Sequence, residues 1–181
     1  MNRIRFLLFL SIIFLGFNTK PNKYIARQGQ VSFFSYTTAE NIEAKNNQIL
    51  SIIDLSNNEI AVSMLMNAFV FKKSLMHEHF NDSYIESDLY PKATFKGKII
   101  DFDPTVNTQT KFIKGILTIR NIEKEIEIKT LITKNNDSYQ LSGEFEIVVE
   151  DFDINIPLIV APNIAKIISA KFTFEYLPYE K

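Results

Sequence analysis

The chain has 181 residues, room for one domain of ordinary size, and its 20 basic and 21 acidic residues give a net charge of −1. The two signs are mixed along the chain, which excludes the clustered basic patch that nucleic acids or acidic membranes require. The chain contains no cysteine, and this excludes a disulfide framework, a thiolate zinc site, a cysteine nucleophile and lipoprotein-type acylation. Its 16 phenylalanines, beside five glycines and no tryptophan, predict an interior rich in aromatic side chains.

The first residues have the pattern of an export signal. Arg3 and Arg5 precede the run FLLFLSIIFLGF at 6–17, which is typical of a secretory signal peptide. A helix that spans a bilayer needs about twenty apolar residues, and this run is shorter. We therefore expect a signal peptide over residues 1–19, a folded domain over residues 20–181 and a periplasmic or secreted location. An uncleaved N-terminal segment that anchors the protein is the alternative.

Runs that alternate apolar and polar residues predict β-strands along most of the remaining chain. The clearest run, EIEIKTLIT at 125–133, places its apolar residues on one face, as an antiparallel strand with one wet face does. The segments Asn57-Asn58 and KNNDS at 134–138 predict hairpin turns, because asparagine tolerates positive φ. The polar segment ENIEAKNN at 40–47 predicts a connection. The predicted strands are 24–38 (one strand or two), 48–56, 59–66, 92–102, 111–120, 125–133, 139–149 and 168–176.

One segment, 67–80, interrupts the strands with a helical pattern. Its apolar residues Phe71, Leu75, Met76 and Phe80 have the spacing of apolar residues in an amphipathic helix, which predicts a short helix. Near the other end of the chain, segment 150–163 carries two prolines and is predicted to leave the sheet, with a helical turn at 163–166.

The elements amount to eight or nine strands at hairpin-like spacing, together with one short helix. This combination is typical of a closed antiparallel barrel or a sandwich. A barrel of about eight strands either fills its interior with side chains or holds one small ligand. The periodicity leaves both alternatives open.

The triplet His77-Glu78-His79 is the one place where histidines cluster. Helical metal sites commonly use histidines at i and i+4, which share a face. Here the histidines are two residues apart, so on a helix of 3.6 residues per turn they point ~200° apart. A structural or surface role, a contact with a ligand head group, and metal or acid–base chemistry are the alternatives, with His79 favoured over His77 for a head-group contact.

Other patterns give little support to catalysis. The acidic series Glu123, Glu125 and Glu127, and the pair Asp151 and Asp153, are typical of solvated strand faces. No serine lies in a G-x-S-x-G setting, and neither standard glycine-rich phosphate loop is present. We therefore expect a protein that is not an enzyme.

Three segments resemble the YceI family of exported, lipocalin-like bacterial proteins. Residues 75–97, LMHEHFNDSYIESDLYPKATFKG, are similar to the family's helix, connection and following strand, and 115–128, GILTIRNIEKEIEI, to one of its hairpins. Residues 145–176 are similar to its closing strands. The chain departs from the pattern at Asn121, where a glycine is usual, and asparagine is the next best residue for left-handed φ. It also lacks an arginine that many members carry near 150–153.

The resemblance implies an all-β fold: a closed antiparallel eight-stranded lipocalin-like barrel with one or two short helices. It also implies an apolar lumen that binds an isoprenoid or similar amphiphilic lipid, for carriage, storage or stress protection. The alternatives are a small barrel enzyme that uses His77, Glu78 or His79, and a filled barrel with a structural or interaction role. No metal and no cofactor other than a bound lipid are expected. A homodimer is left open, and membrane contact is expected only through ligand exchange or an uncleaved N-terminal segment.

The resemblance and the phenylalanine-rich alternation together suggest which side chains meet the lipid. His79, Tyr84 and Tyr90 are the candidates for a head-group contact, because they lie in or just after the helix. The candidates for the lumen are Phe33, Phe69, Phe71, Leu75, Met76, Phe80, Phe95, Leu117, Ile119, Phe172 and Phe174.

Overall fold

A computed structural model describes residues 21–36, 41–154, 156 and 166–179. The predicted signal peptide at 1–19 lies outside these ranges, as does the predicted helical turn at 163–166 except for its last residue. The strands are β1 (Lys23–Ser35), β2 (Ile42–Asp54), β3 (Glu59–Leu65), β4 (Val70–Phe71), β5 (Lys92–Ile99), β6 (Thr108–Ile119), β7 (Ile122–Asn135), β8 (Ser138–Val148) and β9 (Ile167–Pro178). The helical segments are a 3₁₀ turn (Met66–Ala68), the helix α1 (Ser74–His79), a π-helical segment (Phe80–Ile85) and a second 3₁₀ turn (Val149–Phe152).

Eight long antiparallel strands close into a barrel. The order around the wall is β1-β9-β8-β7-β6-β5-β3-β2, and pairing between β1 and β2 closes it. The two-residue strand β4 pairs with β2 at Ala44 and Lys45, beyond the point where β3 ends. This topology confirms the predicted eight-stranded antiparallel barrel.

Asparagine-bearing turns join three pairs of neighbouring strands, as predicted. In the β6–β7 turn Arg120 and Asn121 have φ values of 50° and 62°, and Ile119 pairs with Ile122. Two consecutive left-handed residues form the type I′ turn that matches the twist of a hairpin. Asn58 in the β2–β3 connection and Asn136 in the β7–β8 turn also have positive φ.

The prediction that 40–47 is a connection was wrong, because β2 begins at Ile42 and includes most of that segment. Its polar composition hid an alternation in which Ala44 and Asn46 face the interior and are buried. The Asn46 amide donates to the Leu65 carbonyl (2.8 Å), and its oxygen accepts from the Gln48 backbone N–H (2.8 Å). A buried asparagine with its hydrogen bonds made is compatible with a strand interior.

The predicted helix at 67–80 begins later than expected. The backbone first forms the 3₁₀ turn and β4, and α1 starts only at Ser74. The start of the predicted helix instead forms β4, because the backbone of Val70 and Phe71 pairs with β2. Within the ranges described, no helix is both long enough and apolar enough to cross a membrane.

Side chains fill the half of the barrel far from α1. Large residues there are almost completely buried, among them Ile53, Ile113 and Leu141. The Ser51 hydroxyl and the Tyr176 hydroxyl lie 2.6 Å apart in this packed region. Among the described residues, the interior is open at the end of the barrel that α1 covers.

Candidate functional site

A cavity of about 220 Å³ occupies the α1 end of the barrel. We call α1 and the π-helical segment, residues 74–85, the roof, because Met76, Phe80 and Ile85 from it line the cavity. Strand residues complete the wall, including Val31, Leu117, Phe145 and Ala170. The lining is almost wholly hydrocarbon. Its polar side chains are Ser35, His79 and Tyr84, which all lie at the roof end.

Most of the residues predicted for the site meet in this cavity. Met76 and Phe80 share the inward face of the roof because they are four residues apart. The predicted residues that line the cavity are Phe33, Phe69, Phe71, Met76, Phe80, Leu117, Ile119, His79 and Tyr84.

The structure places five predicted residues elsewhere. Leu75 is 59% exposed, because it precedes Met76 by one position and therefore points ~100° away from it on the helix. Phe95, Phe172 and Phe174 are buried in the packed interior and are not among the lining residues. Tyr90 lies outside the cavity, where the Arg120 guanidinium carbon is 5.3 Å from the centre of its ring.

Four phenylalanines fix the roof against the wall. The ring centroid of Phe33 lies 5.4 Å from Phe69, 5.8 Å from Phe71 and 5.7 Å from Phe80. Phe80 itself lies 5.1 Å from Phe71. Such distances are those of interacting aromatic pairs, worth about 0.5–1.5 kcal/mol each beyond their burial. The cluster connects β1, β4 and the roof.

The two histidines have separate environments, as their spacing predicted. His77 Nδ1 lies 2.9 Å from the Phe69 carbonyl oxygen, and Nε2 lies 3.1 Å from the Asn81 amide nitrogen. These contacts fit a proton on Nδ1 and fasten the roof to the chain before β4. His79 instead lines the cavity, and its ring makes no hydrogen bond within the described residues. The same part of the chain contains no cluster of three or more side chains suited to bind a metal ion.

Tyr84 contributes a partly buried hydroxyl group to the roof. Burial raises the pKa of its phenol above the ordinary value of 10.0, so the group stays protonated at neutral pH. A neutral phenol can both donate and accept a hydrogen bond. Tyr84 can therefore form a hydrogen bond with either a donor or an acceptor at the polar end of a ligand.

Several residues that shape the site were not predicted from the sequence. Ala93 and Ala170 line the cavity, and alternation along their strands placed them on the inward faces. Arg120 connects the β6–β7 turn to the end of the roof by donating hydrogen bonds to the Glu86 carboxylate and the Asp153 carbonyl oxygen. No local pattern in the sequence links Arg120 to residues 34 positions before it and 33 after it.

The YceI-like domain family matches residues 23–176, which include every strand of the barrel except the last two residues of β9. The chain belongs to the YceI family. A search of curated protein sequences finds no match. The closed eight-stranded barrel that the resemblance implied is therefore present in this chain.

Solved structures of YceI proteins and related domains share the fold. A polyisoprenoid-binding domain from Saccharophagus degradans, implicated in plant cell wall breakdown, is 12% identical with a TM-score of 0.70, covering 88% of this chain and 100% of that one. BcnA of Burkholderia cenocepacia is 15% identical with a TM-score of 0.69, covering 81% and 95%. The Campylobacter jejuni YceI protein is 15% identical with a TM-score of 0.60, covering 99% and 100%. At these identities the likeness is one of fold.

Proposed function

We propose that this YceI protein is an exported carrier that binds an isoprenoid or similar amphiphilic lipid, with the apolar chain in the cavity and the polar end at the roof. One observation carries the proposal: an almost purely hydrocarbon cavity whose few polar side chains all lie at one end. That distribution matches the distribution of polarity along an amphiphile.

Hydrophobic burial supplies most of the affinity in this proposal. A prenyl chain has no hydrogen-bonding groups along its length, and each Å² of apolar surface removed from water contributes about 25 cal/mol. Ordering of the chain offsets part of that gain. His79 and Tyr84 then discriminate among head groups, because both line the cavity and carry groups able to form hydrogen bonds.

A binding role fits the roof better than a catalytic one. A catalytic histidine is commonly oriented by a hydrogen bond to a second group, and the His79 ring makes none within the described residues. His77 has both ring nitrogens engaged in holding the roof. We therefore infer a protein without enzymatic activity of its own.

Native mass spectrometry of the detergent-free protein with added farnesol tests lipid binding. The expected result is a one-to-one complex that survives transfer to the gas phase, whereas glycerol, a polar control, gives none. Absence of a farnesol complex up to the solubility limit of the alcohol would contradict the proposal.

Export is tested separately on the full chain expressed in a bacterium. The expected product is a periplasmic or secreted protein whose intact mass shows loss of about the first nineteen residues. A full-length product in the membrane fraction would support the uncleaved anchor instead, and a full-length cytoplasmic product would contradict export.

A further inference from the structure

The cavity ends abruptly about half-way along the barrel. On β5 the inward residue Ala93 lines it, but the next inward residue, Phe95, does not. On β9 Ala170 lines it and Phe172 does not. Both phenylalanines are nearly inaccessible, at 6% and 7% exposure. The empty space therefore stops where the side chains change from alanine to phenylalanine.

Strand pairing places both rings directly at the end of the cavity lining. Phe95 is the cross-strand partner of Leu117, and Phe172 is the partner of Val31. Leu117 and Val31 both line the cavity. The rings thus lie beside the last lining residues of the neighbouring strands, on two different sides of the barrel.

Glycines next to the rings leave the space that the rings occupy. A Cβ at Gly97 or Gly115 would come within 2.8 Å of the Phe95 ring, and a Cβ at Gly143 would come within 2.8 Å of the Phe172 ring. Closely packed groups of this kind do not move aside without cost.

A third ring continues the layer. The Phe174 centroid lies 5.1 Å from that of Phe172, and its ring fills the place that a side chain at Gly29 would take. We call Phe95, Phe172 and Phe174 the floor. Below it the interior is packed around buried residues such as Ile113 and Tyr176.

We propose that the floor limits the length of apolar chain that this protein can enclose. The inference rests on the proposed lipid-binding function and specifies its ligand: a short prenyl or alkyl amphiphile, or the terminal segment of a longer chain. The volume agrees, because about 220 Å³ is below the ~300–1,000 Å³ of typical pockets for drug-sized ligands. Phe95 and Phe172 are then the residues that set chain-length specificity.

A series of prenyl alcohols tests this limit by calorimetric titration of the full chain. Geraniol, farnesol, geranylgeraniol and solanesol share one head group and differ only in chain length. Affinity is expected to rise about tenfold or more for each isoprene unit that enters the cavity. Beyond the limit affinity is expected to stop rising, because the floor blocks a longer chain and its additional units, together with the head group, stay in water outside the roof.

Three variants locate the limit at the floor. We call the chain length at which affinity stops rising the plateau. Phe95→Ala and Phe172→Ala are expected to move the plateau to longer alcohols. Phe102→Ala is the matched control, because Phe102 packs at the opposite end of the barrel, with its ring 5.9 Å from that of Tyr139, and its plateau is expected to stay unchanged. If circular dichroism shows that neither floor variant folds, Ala93→Leu, which narrows the cavity from above, is expected to move the plateau to shorter alcohols.

The outcomes separate this inference from the function on which it rests. Affinity that rises steadily through solanesol in the unmodified protein would overturn the length limit and leave lipid binding intact. A plateau that moves in none of the folded floor and Ala93 variants would also overturn it. Failure of every alcohol to bind would overturn both proposals together.

Discussion

Arg120 connects the β6–β7 turn to the end of the roof by a salt bridge with Glu86. The arginine side chain is only 15% exposed, and its guanidinium also donates to the Asp153 carbonyl oxygen and lies over the Tyr90 ring. Arg120, Glu86 and Asp153 all have positive φ. One side chain thus joins three turns at the roof end of the barrel.

Replacing this arginine is expected to destabilise the contact between the β6–β7 turn and the roof. Arg120→Ala removes charge-assisted hydrogen bonds and a cation–π contact, and we expect a loss of about 2 kcal/mol in the free energy of unfolding. Lys114→Ala is the control, because the Lys114–Glu127 salt bridge (2.7 Å) is well exposed and such pairs contribute about 0–1 kcal/mol. Urea denaturation measures both variants. Equal losses would contradict the role of Arg120.

The two roof histidines are expected to respond differently to substitution. His77→Ala removes hydrogen bonds to the Phe69 carbonyl and Asn81, at a cost of about 1–2 kcal/mol, and should speed hydrogen exchange in residues 74–85. His79→Ala should leave stability within about 0.5 kcal/mol and weaken binding of farnesol about fivefold. Thermal denaturation and calorimetry measure the two effects. A larger loss of stability in His79→Ala than in His77→Ala, or weaker farnesol binding only in His77→Ala, would refute the assigned roles.

Periodicity predicted the antiparallel strands, because a strand with one wet face carries its own alternation, as 125–133 does, and the resemblance to the YceI family implied that the strands close into a barrel. The turns followed because asparagine at positions such as Asn58 and Asn121 tolerates positive φ. Segment 40–47 was misjudged, since Ala44 and Asn46 face inward without the hydrophobicity that marks an inward face. Contacts with distant residues, such as the Asn46 hydrogen bond to Leu65 and the pairing with β1, stabilise this part of the strand.

The buried hydroxyl pair in the filled half of the barrel predicts non-additive effects. Ser51 also donates to the Ala61 carbonyl (3.1 Å), so Tyr176→Phe leaves Ser51 with a partner and should cost about 1 kcal/mol. Ser51→Ala strands the Tyr176 hydroxyl and should cost about 1–3 kcal/mol. The double variant should lose less than the sum of the two. Simple additivity in a denaturation cycle would show that the hydroxyls are not coupled.

Buried tyrosines predict that the protein loses stability in alkali. Burial raises the pKa of Tyr176 above its ordinary value of 10.0, and burial is also the main cause of the raised pKa values of Tyr24 and Tyr139. The unfolded chain therefore releases these protons first, so stability is unaffected below about pH 10 and falls as pH rises above it. The measurement is the melting temperature from about pH 8 to about pH 11.5. Tyr176→Phe should reduce the slope, and an unchanged slope would contradict the assignment.

The cavity was only partly predictable. Phe33, Phe69 and Phe80 were predicted from the family resemblance and the phenylalanine-rich pattern, and they do meet at the roof. Phe95 and Phe172 have the same alternation and the same side chain, yet they close the cavity rather than line it. Which part of the interior is open depends on the small residues Ala93 and Ala170 above the rings and on the glycines next to the rings. These residues act through strand pairing that no single segment encodes.

The lipid content of the protein as it comes from cells tests the central claim most directly. The full chain is purified without detergent and extracted with organic solvent, and the apolar lipid per chain is measured by mass spectrometry. Two variants accompany it: Ala93→Leu with Ala170→Leu, which fills the cavity, and Ala61→Leu, which makes the same change on the exposed outer face. We predict about one isoprenoid-type lipid per chain in the unmodified protein and in Ala61→Leu, and much less in the filled variant. No lipid in the unmodified protein, or equal lipid in all three, would contradict the account.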